Sequence, residues 1–140
     1  CAVMVADCVP ILLAAKDGSC VAAIHAGWRG LAAGVIEETV GVMPVDGENL
    51  VAVIGPCISA EAYPVGKEVL TQLSAAGGTV VTHDRRLDLA ATAVVQLQRA
   101  HVLRSKIPMD LCVFEHFDCF FSHRRGGFAG RFGLILRIIM

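Results

Sequence analysis

Apolar positions at the start of the chain come in short, almost unbroken runs. Ala2 to Ala6 and Ile11 to Ala15 are interrupted only by Asp7 and Pro10, and Asp17-Gly18 separates the second run from Cys20 to Ala26. Runs without polar alternation fit strands covered on both faces, and Asp-Gly between two of them is a hairpin signal. Three strands are therefore predicted to open the chain. The period then changes: beyond Ala26-Gly27-Trp28-Arg29-Gly30, Leu31, Val35, Thr39 and Val42 recur at helical spacing with Glu37 and Glu38 facing outward, which predicts a helix over 31–43.

Pro44 to Asn49 reads as a loop, and Leu50 to Ile54 as a strand ending at Gly55-Pro56. Pro64 to Ala76 reads as a helix with proline in its first turn, stopped by Gly77-Gly78, and Thr79 to Thr82 as a strand. Leu89, Ala93, Val94, Leu97 and Ala100 outline a second amphipathic helix capped by Asp88. Met109 to Phe114 and Gly133 to Ile139 read as closing strands. Continuous strands alternating with helices imply covered sheet faces, and the hairpin adds antiparallel pairing; the expected fold is α+β, mixed-sheet αβ layers in one domain. Residues 1–140 carry no repeat, charge block or low-complexity linker that would divide them.

Composition narrows the function classes. Twelve Lys+Arg against thirteen Asp+Glu give a net charge of -1, without the basic excess of a nucleic-acid binder. The chain is 55% hydrophobic with mean hydropathy +0.63. Asp7, Lys16, Asp17, His25 and Arg29 nevertheless break the apolar segments before the roughly 18 residues a membrane span needs. Six cysteines form no C-x-x-C, which removes the support for zinc-finger and thioredoxin readings; the thiols read as reduced and the protein as cytoplasmic. Because Cys1 is not an initiator Met and strand-like residues follow it at once, a preceding segment is expected. The apolar surplus has two explanations: helices on both faces of a sheet, or a face covered by such a segment or a partner.

Three constellations carry candidate chemistry. Cys8 and His25 are brought together if the Asp17-Gly18 turn folds their segments back; thiolate and imidazole are zinc ligands, and equally a nucleophile and its base. A buried small residue and a hydrogen-bonded strand-end His are the plain structural alternative. In His25-Ala26-Gly27-Trp28-Arg29-Gly30, a glycine turn entering a helix offers N–H groups and Arg29 a forked cation, so Gly27, Arg29 and Gly30 are candidate anion binders; a tight turn with a packed Trp is the other reading. In Phe120-Phe121-Ser122-His123-Arg124-Arg125-Gly126-Gly127, followed by Gly130-Arg131, we single out Ser122, Arg125 and Arg131 for phosphate or sugar, against the alternative of a charged hairpin tip. His83, His101 and His116 lack partners at metal-ligand spacing.

Taken together, Ala6-Asp7-Cys8-Val9-Pro10, His25-Ala26-Gly27-Trp28-Arg29-Gly30, Gly55-Pro56-Cys57-Ile58 and Phe120-Phe121-Ser122-His123-Arg124-Arg125 resemble the YfiH-like family, also called the laccase-domain or polyphenol oxidase family. The resemblance implies a zinc-dependent purine nucleoside phosphorylase, using purine nucleosides and phosphate, with adenosine deaminase activity beside it; copper belongs to the older oxidase reading. It also implies that Cys8 and His25 are metal ligands and the catalytic pair, that a further His ligand lies upstream, and that residues 1–140 form the C-terminal portion of the family's domain. Pro64 departs from the family pattern, which usually has an acidic residue there. Two other readings stay open: a metal-free cysteine hydrolase or deamidase using Cys8 and His25, and a non-catalytic fragment or binding module.

Overall fold

The computed structural model describes residues 1–75, 82–106, 111–126 and 130–138. In chain order its strands and helices are β1 (Ala2–Val5), β2 (Val9–Ala15), β3 (Val21–Ala26), α1 (Trp28–Ala32), α2 (Val35–Val42), β4 (Leu50–Ile54) and α3 (Lys67–Ala75). There follow β5 (Thr82–His83), β6 (Arg86–Leu87), α4 (Leu89–Arg99), β7 (Ser105–Lys106), α5 (His123–Gly126) and β8 (Phe132–Ile135). Strands and helices in mixed sheets confirm the α+β class.

The central sheet has the order β3-β2-β4-β7. The Asp17-Gly18 turn folds β2 and β3 into the expected antiparallel hairpin, with Val9 opposite Ala26 and Pro10 opposite His25. β4 joins the other side of β2 antiparallel and takes β7 in parallel, the one parallel pairing among the described strands. β1 is not a third strand of that sheet. It pairs antiparallel with β8, and the ribbon packs Val3 and Val5 with Leu12, Phe132 and Leu134 in a small second core. Leu13, Leu31, Ile36, Ile54, Leu73, Leu89 and Leu97 lie in the main core, where each such side chain contributes about 1.5–3 kcal/mol relative to exposure.

Several boundaries differ from the sequence reading. The helix expected over 31–43 starts earlier, at Trp28, and is split, because Gly34 adopts a left-handed φ of 74° between α1 and α2. α3 starts at Lys67 rather than Pro64, which instead bridges Arg86 in an extended segment. Asp88 does cap α4, its Oδ1 accepting the Ala91 N–H at 2.8 Å. Cys112 makes a single bridge to Cys57 and the chain then turns, so no strand continues to Phe114; residues 109–110 of that expectation lie outside the described residues. So do 76–81, which include the glycine stop and most of the predicted Thr79 to Thr82 strand. Among the described residues no helix is long and apolar enough to cross a membrane.

Candidate functional site

The hairpin register places Cys8 one step beyond the Val9–Ala26 pair, beside Gly27. A Cβ built on Gly27 would lie 2.8 Å from Cys8 Sγ, so the absence of a side chain there makes room for the thiol. His25 is two residues from Gly27 and shares its face of the chain, a diagonal neighbour of Cys8. Both side chains line one cavity of about 420 Å³.

Its walls come from distant parts of the chain: Ala6 and Asp7 after β1, Trp28 and Arg29 from α1, Tyr63, His123 and Arg124 from α5, and Arg131 before β8. Two of the arginines rest on aromatic rings. Arg29 Cζ is 4.3 Å from the Trp28 centroid and Arg124 Cζ 4.7 Å from that of Tyr63, while Arg124 Nη1 donates to the Pro64 carbonyl at 3.2 Å. Guanidinium groups held in this way lose less freedom when they bind an anion. Asp7 is the knot of the site: 5% exposed, with a left-handed φ of 80°, it accepts the Arg124 backbone N–H on Oδ2 at 2.8 Å. Its main-chain carbonyl accepts the Ile58 N–H at 3.0 Å.

Burial, and after it the negative charge of Asp7, pushes the Cys8 thiol above its ordinary 9.0, with Arg131 opposing. Burial likewise raises the Tyr63 phenol above 10.0, against the pull of Arg124. Both groups are neutral at pH 7, leaving three guanidinium groups against the Asp7 carboxylate. For the metal-free protein, Cys8 is expected to react with iodoacetamide more slowly than exposed Cys119 at pH 8, which peptide mapping measures. The sign for stability follows: the Cys8 contribution is intact below 9.0 and is lost as pH rises through the raised value.

Not every residue singled out in the sequence reaches this cavity. Ser122 Oγ accepts the Arg125 N–H at 3.2 Å and caps α5. The Arg125 guanidinium donates to the carbonyls of Val113, Phe114 and Phe120 at 3.1, 2.8 and 2.6 Å, bracing the loop. Both face a separate cavity of about 950 Å³ lined by Phe117 and Phe121. Gly27 and Gly30 do not line the 420 Å³ cavity either. A Cβ on Gly30 would meet the His25 carbonyl and Val35, each at 3.3 Å. Since α1 is only five residues long, its dipole is a minor source of positive potential beside the guanidinium groups. Conversely, the cavity takes His123 and Arg124 from the constellation in which the sequence points to Ser122 and Arg125, and it adds Asp7 and Tyr63, for which the sequence indicates no site role. Arg124 and Arg125 are adjacent on a helical turn and point about 100° apart, so one faces the cavity and the other does not.

A thiolate and an imidazole suit zinc, and a catalytic zinc site usually takes three protein ligands. Among the described residues no group of three His, Cys, Asp or Glu side chains is placed to hold one ion. Cys8 and His25 bring two donors of the kinds zinc takes to one cavity, short of the three such a site uses.

The purine nucleoside phosphorylase YfiH of Escherichia coli is 37% identical over 147 residues, covering 99% of this chain and 59% of that protein. A purine nucleoside phosphorylase of Xylella fastidiosa is 39% identical over 141 residues, covering 95% and 54%. The chain therefore spans rather more than half the length of these relatives. Among solved structures, the Neisseria meningitidis protein NMB0706 superposes with a TM-score of 0.84 at 39% identity, covering 95% of this chain and 57% of that one. YlmD from Geobacillus stearothermophilus gives 0.87 at 29%, covering 94% and 54%. The sequence profile described as multi-copper polyphenol oxidoreductase laccase matches residues 1–140, and the chain belongs to that family.

Proposed function

We propose that this cavity takes a purine nucleoside and inorganic phosphate, and that the protein cleaves the glycosidic bond by phosphorolysis, with adenosine deamination beside it in the cytoplasm. The observation that carries the reading is the convergence of Arg29, Arg124 and Arg131 with Cys8 and His25 on one cavity. The names of the relatives from Escherichia coli and Xylella fastidiosa support the reaction class.

Phosphorolysis needs a phosphate oxygen held in line with the anomeric carbon while the base leaves. Two ring-stacked guanidinium groups and Arg131 offer forked donors and offset the phosphate charge, so binding positions the nucleophile. Asp7 contributes indirectly, by fixing the backbone of Arg124. Cys8 and His25 would hold a zinc ion, or the copper of the older family reading, together with a donor outside the described residues. Such an ion supplies Lewis acidity and lowers the pKa of bound water. The metal-free hydrolase alternative needs a thiolate at Cys8, and burial beside Asp7 works against it.

The test is release of free base from inosine and adenosine, followed chromatographically with and without phosphate, for this chain and for a form extended upstream, each supplied with zinc. Phosphate-dependent base release with ribose 1-phosphate, and inosine formed from adenosine, are expected. No base release by the extended form, or release indifferent to phosphate, would overturn the reading.

A further inference from the structure

Cys57 and Cys112 stand outside the cavity just described, yet they face each other across the chain. They are partners in a parallel bridge, joined by a hydrogen bond from the Val113 N–H to the Cys57 carbonyl at 3.0 Å. The Ser59 N–H donates to Cys112 Sγ at 3.3 Å, which places that sulfur against the loop carrying Cys57. Adjacent strands lie about 4.8 Å apart, inside the roughly 4.4–6.8 Å Cα separation that a disulfide spans, and bridged residues carry their side chains on one side. Both cysteines line a second cavity, of about 540 Å³, which gives a small oxidant access.

We propose that Cys57 and Cys112 are an oxidisable thiol pair, closed to a disulfide by hydroperoxides and reopened by dithiol reductants. Cys57 is half-buried and Cys112 buried, so Cys57 meets the peroxide first. Its thiolate attacks one peroxide oxygen, the O–O bond breaks, and the departing hydroxide takes up the thiol proton as water, leaving a sulfenic acid. The Cys112 sulfur then attacks the Cys57 sulfur; the S–O bond breaks, the S–S bond forms, and a second water leaves with the Cys112 proton. Two electrons pass from the thiol pair to the peroxide.

The bond would tie together two segments that support the candidate site. Ile58, next to Cys57, donates to the Asp7 carbonyl, and Val113, next to Cys112, accepts from the Arg125 guanidinium. Oxidation would therefore stiffen the framework behind Asp7 and α5 without consuming Cys8.

Reduced protein is treated with a few equivalents of hydrogen peroxide and analysed by intact mass and non-reducing peptide mapping. The expected result is a loss of two hydrogen atoms, a Cys57–Cys112 linked peptide as the main product, reversal by dithiothreitol, and a raised thermal midpoint in the oxidised form. Cys57→Ser should abolish the linked peptide while the reduced variant keeps the circular dichroism of the parent; Cys112→Ser provides the same test from the buried side. Recovery of both cysteines as free thiols while exposed Cys119 is oxidised, or a cross-link joining other cysteines, would overturn the proposal. The mapping does not depend on the phosphorolysis reading, so the two fail separately.

Discussion

Gly27→Ala is expected to lower phosphate-dependent base release about a hundredfold while the fold survives and, with Cys8 a zinc ligand as proposed, to lower the zinc content with it. Gly27 has φ -81° and ψ 170°, an extended conformation open to alanine, so the backbone itself is not strained by the change. The added methyl would instead sit 2.8 Å from Cys8 Sγ, and the thiol can escape only by rotating away. On the ligand role proposed for Cys8, a displaced sulfur would no longer share an ion with His25, and a shift of about 1 Å is enough for a loss of this size. Metal content by elemental analysis, base release and the thermal midpoint together check the expectation. Unchanged zinc and rate would mean that Cys8 is a packing residue.

Gly47→Ala should act on stability instead, by about 3 kcal/mol, which for a chain of this size lowers the thermal midpoint by about 10 °C. Gly47 is buried in the 3-10 turn Gly47–Asn49 that leads into β4. A Cβ there would lie 1.9 Å from the carbonyl oxygen of Ala100, the residue that ends α4. The backbone fixes where a Cβ sits and its partner is a main-chain oxygen, so neither a rotamer change nor a side-chain shift relieves the clash. Gly41→Ala is the matched control: Gly41 lies within α2 with nothing within 4 Å of the added carbon, and alanine should stabilise the helix by about 0.5–1 kcal/mol. Urea unfolding of the two variants measures both; equal midpoints would show that the Gly47 turn can move away from α4.

Local signals carried the parts of the fold that depend on neighbours in sequence. The Asp17-Gly18 hairpin, the β4 run and the Asp88-capped α4 all follow from turn chemistry, periodicity and capping. Pairing between the chain ends did not announce itself, because β1 and β8 are short apolar runs that would fit many partners. The left-handed residue Gly34 hid inside a helical period that continues across it, so one helix was expected where two form. The site divides in the same way. Cys8 and His25 are legible because a single hairpin joins them. Tyr63 reaches the cavity through tertiary packing, and Asp7 reads merely as a break between strands although its carboxylate organises Arg124. Choosing Arg125 over Arg124 required knowing the phase of a four-residue helix, which no pattern of that length encodes.

The cavity bounded by Cys8, His25, Arg29 and Arg124 is proposed to bind the phosphate that cleaves a purine nucleoside. The measurement that decides it is the phosphate KM of the extended form carrying Arg29→Ala, Arg124→Ala or Arg125→Ala, with the proposed adenosine deamination and the thermal midpoint measured on the same samples. Loss of one charge-assisted contact should raise phosphate KM about tenfold or more in the Arg29 and Arg124 variants, with deamination and midpoint close to the parent. Arg125→Ala should lower the midpoint, since it removes bonds to three carbonyls, without a selective change in phosphate KM. A phosphate KM that rises only in Arg125→Ala, or that stays at the parent value in both Arg29→Ala and Arg124→Ala, would contradict the account.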